Sequence, residues 1–288
     1  MEGTEIKGEL WPSLAVLLVL VFISVTMLEG GVVKGANACE VYYPGHLDSV
    51  NEKSRSDQVC NAIYNYFRYY GFYQYWQYWK YSWVTRDLMG SQTLALGYYY
   101  SFVALFFKGH DVPWGCGSHY ALLGYNGEYI QDAYIYTKTV YGSHDFVFLW
   151  ACGTAHSYPS WYCSTDQAWT GHCYCWTRRN TLSLDGYTEL WDYNPEVFLG
   201  WHWGSPNFVD TYGCKNGYDY GSFAASFFKY LLQQDKTVKE ALDLASKEVF
   251  IGSPTFGNSP PRQGIWLYND WSYLKIYGNG DVKLGRWG

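Results

Sequence analysis

The chain has 288 residues, a formal net charge of −6 and a pI near 5.6, which is enough length for one large buried core. Its 20 Lys and Arg are scattered and are outnumbered by 26 Asp and Glu, which excludes nucleic-acid binding through phosphate neutralisation. Aromatics are the compositional outlier at 21%, with 31 Tyr and 15 Trp; large rings with a polar tip are expected here mainly to serve packing.

The first feature along the chain is the apolar run at residues 15–28, preceded by Trp11 and Pro12 and followed by Glu29, Gly30 and Gly31. It is short for a membrane span, which needs roughly 20 apolar residues. Ala36-Asn37-Ala38 then offers an A-x-A cleavage site, so residues 1–38 are expected to be a secretory signal, with Cys39 first in the mature chain. Glu2, Glu5 and Glu9 outnumber Lys7 where a signal peptide carries positive charge, so a retained N-terminal membrane anchor is the second reading. Either way the body of the protein, residues 39–288, is expected to be extracellular, secreted or anchored facing outside.

Eight cysteines in an exported chain imply disulfides. If Cys152 is held back as a free thiol, the remaining seven are Cys39, Cys60, Cys116, Cys163, Cys173, Cys175 and Cys214, and one of these must pair outside the chain or not at all. Cys163, His172, Cys173 and Cys175 also invite a zinc reading, but the second closely spaced Cys pair of a structural zinc site is missing. No metal and no cofactor is expected. Disulfides in a Gly- and aromatic-rich insertion at 153–191 are the reading adopted.

Further elements follow in order. Residues 40–43 read as a first strand, ending at Pro44-Gly45, and residues 57–70 as a helix with Val59, Ile63 and Phe67 on one face and Gly71 as its stop. Residues 79–84 are a possible second strand amid dense aromatics. Residues 102–107 and 146–149 are unbroken apolar runs, the pattern of central parallel strands covered on both faces. Between them, residues 109–141 read as loops with a hairpin around Tyr125-Asn126-Gly127. Residues 196–201 form a fifth strand, 222–234 and 238–250 two helices, the second opened by a Thr237/Glu240 capping box, and 271–277 a last strand. Alternating strands and helices define an α/β fold with a mostly parallel sheet flanked by helices.

Both central runs end in a reactive side chain: FVALFFKGHD (102–111) in His110, and DFVFLWACGT (145–154) in Cys152. Ligands gather beyond the carboxyl ends of parallel strands. Neighbouring strands would thus bring an imidazole and a thiol to one edge, as a cysteine nucleophile and its base require. The bland reading makes Cys152 a core or cystine residue and His110 a loop histidine.

FFKGHD (106–111) and FLWACGT (148–154) together resemble the two signatures of the caspase-like clan of cysteine peptidases, which includes caspases, legumains, gingipains, clostripain and CHAT domains. The His-to-Cys separation of 42 positions, TVKEALDLA (237–245) and the closing IYGNGD (276–281) are similar to that clan as well, and the resemblance runs loosely from Cys39 to Leu284. It implies a caspase-like α/β domain and an exported endopeptidase acting on peptide or protein substrates. Cys152 would be the nucleophile and His110 its base, and the backbone N–H groups of Cys152 and of the residue after the histidine would hold the oxyanion, with the small Gly153 alongside. The clan has Gly after the histidine, but here Asp111 stands there. Its carboxylate would oppose a developing negative charge unless it points away or is neutralised, or would instead orient the imidazole.

His119, 33 positions before Cys152, is the second choice of base. His144 lies at the wrong end of its strand, His156, His172 and His202 lie in loops, and His46 has no visible partner. Without a G-x-S-x-G elbow, Ser157 and Ser160 do not suggest a serine hydrolase. The main rival is a non-catalytic surface or binding protein on the same fold. A second is glycan stacking on Tyr98, Tyr99, Tyr100, Trp150, Trp161, Trp201 and Trp203. Asp166, Asp210 and Asp219 are the acids available to a specificity pocket.

Overall fold

A computed structural model describes residues 36–71, 73–114, 119–141, 144–155, 158–159, 169–178, 197–252, 264–267 and 272–285. The chain divides into two compact units, Met1–Lys34 and Gly35–Gly288, and every described residue belongs to the second. The apolar run at 15–28 lies outside them, and among the described residues no helix is long and apolar enough to cross a membrane.

The elements are β1 (Asn37–Tyr43), α1 (Val50–Tyr70), β2 (Tyr75–Lys80), α2 (Arg86–Tyr99), β3 (Phe102–Lys108), β4 (Asp111–Trp114), β5 (His119–Leu123), β6 (Tyr129–Gln131), α3 (Asp132–Lys138) and β7 (Phe146–Trp150). Then come β8 (Tyr158–Pro159), β9 (Trp169–Thr170), α4 (His172–Thr177), β10 (Val197–Trp201), α5 (Tyr220–Phe228) with a π-turn at Lys229–Gln233, α6 (Val238–Val249), β11 (Gly264–Leu267) and β12 (Ser272–Gly278). The main sheet has seven strands in the order β11-β12-β10-β7-β3-β1-β2. Neighbours from β2 to β10 are parallel, and β12 and β11 are added antiparallel. The fold is therefore α/β with a mostly parallel sheet, as its apolar runs require.

Successive residues of the central strands face opposite layers. Phe102, Ala104, Phe106, Phe146, Phe148 and Trp150 pack under α1, α5 and α6, whereas Leu105, Phe107, Val147 and Leu149 pack with β5, β6, α3 and α4 on the other face. Phe228 of α5 sits at the centre of the first layer, with ring centroids 5.3 Å from Phe106, 5.4 Å from Phe67 and 5.0 Å from Phe227.

Several expectations change. The first helix starts at Val50 rather than residue 57, capped by the Ser49 side chain, because its first turns bury the polar Glu52 and Ser56 and so show no apolar period. The second strand is Tyr75–Lys80, with residues 81–83 in a 3-10 turn. Helix α2 was not expected, since Gln92 and Thr93 occupy part of its buried face. Residues 109–141 hold a three-stranded antiparallel sheet and α3 rather than loops alone, with the hairpin turn at Gly124–Gly127 where it was expected. Beta strand β11 was also missed.

The disulfide-rich insertion is not borne out by the described cysteines. Cys39, Cys60, Cys152, Cys175 and Cys214 are all free. Cys39, Cys60 and Cys214 pack as small apolar groups in one layer, and Cys173 and Cys175 in the other. The last two stand two apart on a six-residue helix, a spacing at which side chains do not face each other. Cys116 and Cys163 lie outside the described residues.

Phe228→Ala removes the ring that joins α1, α5 and the two central strands β3 and β7. We expect a loss of about 3–5 kcal/mol in urea unfolding, because the surrounding rings cannot collapse into the space.

Candidate active site

Lys108 of β3 is paired with Trp150 of β7, and the Gly109 N–H extends this ladder to the Trp150 carbonyl at 3.1 Å. His110 and Cys152 therefore leave the carboxyl ends of adjacent parallel strands, as the two apolar runs implied. Each then meets a side chain from the next strand outward. His110 Nε2 is 2.8 Å from Asp48 Oδ1, in the loop after β1. Cys152 Sγ accepts the Ser205 N–H at 3.2 Å and lies 3.5 Å from its hydroxyl, in the loop after β10. Because β1, β3, β7 and β10 are consecutive in the sheet, Asp48, His110, Cys152 and Ser205 come from four neighbouring strand ends.

Asp48 was missed in the sequence, although the rule that singled out His110 and Cys152 applies equally to the loop after the first strand. Its side chain is only 1% exposed, against 29% for His110, so it backs the ring from inside. Burial alone would raise the Asp48 carboxyl, but the His110 hydrogen bond, the Lys108 charge and the Tyr43 hydroxyl at 2.8 Å outweigh it and hold the group below the usual carboxylate range. With Nε2 committed to Asp48, Nδ1 is the ring nitrogen left for proton transfer. The neighbouring Leu47 is 70% exposed and has φ of 64°, a strained angle for a branched side chain, at the mouth of the same loop.

The turn after Cys152 is fixed by two hydrogen bonds. The Gly153 N–H donates to the Trp203 carbonyl at 2.9 Å, and the Thr154 hydroxyl accepts the Trp201 N–H at 3.1 Å. Gly153 has φ of 70°, and a Cβ there would come within 2.4 Å of the Tyr120 ring, so this position requires glycine twice over. Its N–H is already committed, which removes Gly153 as an oxyanion donor. Gly204, between Trp203 and Ser205, is the opposite case: a Cβ there would meet nothing within 4 Å.

Asp111 makes no hydrogen bond to the imidazole. Its Oδ2 is buried without a hydrogen-bond partner, and burial, followed by the Asp132 charge, pushes the carboxyl well above its ordinary range. His119 also leaves the site. It is 5% exposed on β5, with Nδ1 3.0 Å from Asp132 Oδ2, and that hydrogen bond raises its pKa against the opposing effect of burial. The adjacent Tyr120 is the residue turned toward Gly153, and neighbours on a strand face opposite ways.

The other expectations resolve into structure. His144 and His172 are fully buried, and burial pushes them down to about 3 and about 4. Asp219 caps α5 and forms a two-pronged pair with Arg55, and Asp210 accepts the Asn207 N–H. Trp150 and Trp201 are core residues with no surface for a sugar, and Trp203 is 52% exposed. His156, Ser157, Ser160, Trp161 and Asp166 lie outside the described residues. Among the described residues no group of His, Cys, Asp and Glu could hold a metal ion.

No family model matches this sequence, and no curated protein does. Among solved structures, the Drosophila initiator caspase Dronc aligns over 87% of this chain and 82% of its own, at 9% identity and a TM-score of 0.39, a likeness too slight to bear on chemistry.

The raised pKa of Asp111 has a measurable signature. Its pKa is higher folded than unfolded, so the stability it lends is complete below the unfolded value of about 3.9 and is lost as pH rises toward the folded value. Asp111→Asn, neutral throughout, is expected to be more stable than wild type at pH 7.5 and no more stable near pH 3.5. Urea unfolding at the two pH values checks this; a gain that is equal at both would contradict it.

Proposed function

We propose that this protein is a cysteine peptidase on a caspase-like sheet, with Cys152 as nucleophile and His110 as base and acid. One observation carries the reading: Asp48, His110, Cys152 and Ser205 stand at four adjacent strand ends, the imidazole backed by a buried carboxylate and the sulfur free and half-buried. The resemblance of FFKGHD and FLWACGT to the clan's two signatures supports it.

In this reading the Cys152 thiolate attacks the scissile carbonyl carbon, forming a C–S bond as the carbonyl becomes an oxyanion. The oxyanion collapses with cleavage of the C–N bond, and His110 delivers a proton to the departing amine. Water, deprotonated by the same imidazole, then attacks the thioester and restores the thiol. Asp48 acts throughout by holding Nε2, which fixes the tautomer and leaves Nδ1 facing the chemistry. Backbone N–H groups of Cys152 and Asp111 would receive the oxyanion, and the raised pKa of the Asp111 carboxyl weakens the electrostatic objection to that role.

The rival reading, a non-catalytic binding protein on this fold, draws on the replacement of the clan's glycine by Asp111 and on the committed Gly153 N–H. Export rests on the segment at 15–28. Beta strand β1 begins at Asn37, so cleavage after Ala38 would take two buried, paired residues from it; a retained anchor leaves the strand whole.

Iodoacetamide under native conditions separates enzyme from binding protein. Of the described cysteines, Cys39, Cys60, Cys173, Cys175 and Cys214 are 0 to 8% exposed, so modification is expected at Cys152 ahead of them, with loss of peptide cleavage. Cys152→Ala should abolish turnover and leave the circular dichroism unchanged. Unaltered cleavage by that variant would sink the mechanism.

Asp48→Ala is expected to lower kcat by roughly 10²–10⁴-fold, the range for impaired general acid–base catalysis, with a smaller change in KM. A steady-state assay on a peptide mixture reads this directly. Wild-type kcat in the variant would remove Asp48 from the unit.

A further inference from the structure

Beneath the edge that carries His110 and Cys152 lies a buried ion pair that the chemistry just described does not use. Lys108 Nζ is 3.0 Å from Glu52 Oε1, and the two side chains are 2% and 3% exposed. Removing two charges from water costs several kcal/mol per ion, and only excellent geometry with further hydrogen bonds offsets that. Those further bonds are present, and their origin is informative. Glu52 Oε1 also accepts the Ser56 hydroxyl at 3.0 Å and the Phe208 N–H at 2.9 Å, while Oε2 accepts the Val209 N–H at 3.0 Å. Lys108 Nζ lies 5.2 Å from the centre of the Phe208 ring.

Two of these donors belong to the loop after β10, the loop that carries Ser205 to the Cys152 sulfur. The same loop is pinned once more where Trp150 Nε1 donates to the Pro206 carbonyl at 2.8 Å. Ser205 therefore sits between the Cys152 sulfur on one side and two anchors, at residue 206 and at residues 208–209, on the other. Lys108 serves the opposite half of the site as well, because its charge helps to keep Asp48 ionised behind His110.

We propose that Glu52 is a positioning residue for the nucleophile: by gripping the backbone at Phe208 and Val209, it holds the Ser205 N–H on Cys152 Sγ. Lys108 is its counter-charge, and through Asp48 and Glu52 one ammonium group ties the base and the nucleophile to the first turn of α1. This rests on the assignment of Cys152 as nucleophile. It adds that the site is set from below by a residue on an element bearing neither of the two reacting groups. A carboxylate suits the task because its two oxygens can accept adjacent N–H groups while remaining bonded to a cation.

The test compares three variants by the rate of Cys152 alkylation with iodoacetamide and by hydrogen exchange over residues 203–209. Glu52→Gln removes the charge and one acceptor. Val209→Pro removes one of the gripped N–H groups and leaves both buried charges in place, so it stays informative if Glu52→Gln fails to fold. Ser205→Pro removes the N–H at the sulfur itself and sets the size of the full effect.

We expect Val209→Pro and Glu52→Gln to speed exchange across 203–209. They should also slow alkylation at pH 7 about tenfold, the worth of one hydrogen bond to a charged group, and so approach Ser205→Pro. If Ser205→Pro slows alkylation while both others alkylate at the wild-type rate, Glu52 only stabilises the fold and the proposal is overturned. Alkylation reads the sulfur without any substrate, so a wild-type protein that cleaves no peptide counts against the peptidase reading alone.

Discussion

Parallel pairing between residues 104–108 and 146–150 decides where the reactive side chains of this protein go. The pairing is specified by burial on both faces: Phe106 and Phe148 turn to one layer of helices, Leu105 and Val147 to the other. A slip of one residue would exchange the two sets and drive the Phe rings into space shaped for aliphatic groups. It would also bring Lys108 out of reach of Glu52. Because the register is held along the strands, His110 and Cys152 need little from their own loops to arrive at one edge. The loops add orientation, through Asp48 and Ser205.

Charge is handled differently in different parts of the same interior. Lys108 and Glu52 face each other, with backbone donors completing the carboxylate. Glu40, on the opposite face of β1, has no cation among the described residues. Burial pushes it up to about 7 against the bonds from Tyr42 and Trp79 Nε1. Asp111 Oδ2 lacks even those donors, and burial pushes its carboxyl well above the ordinary range. The single deeply shielded carboxylate held below its normal range beside the proposed base, Asp48, is the one touched by an imidazole, a phenol and a nearby ammonium.

The sequence made the central strands, α6 and the hairpin at residues 124–127 legible because each has a local cause: an apolar run, a capping box, a turn tripeptide. It concealed α2 and the first turns of α1, where Gln92, Thr93, Glu52 and Ser56 are buried by contacts that no periodicity records. The pairing of reactive residues was readable from strand ends. Asp48 was equally placed to be found but stands in a loop with no apolar signature of its own. Cysteine arithmetic misled for a physical reason: a thiol is a good small core residue, and the described cysteines other than Cys152 are used that way. The sequence left Asp111 open between opposing an oxyanion and orienting the imidazole, because a residue type does not record the burial that shifts its carboxyl.

Position 204 has a practical consequence. The chain there runs between an exposed indole and the residue bonded to the sulfur, its backbone angles are ordinary for an L-amino acid, and the direction a side chain would take is open. A library restricted to that single site would therefore place new chemical groups beside the edge that carries His110 and Cys152 without displacing any described neighbour, whereas the turn at 153 admits no change at all.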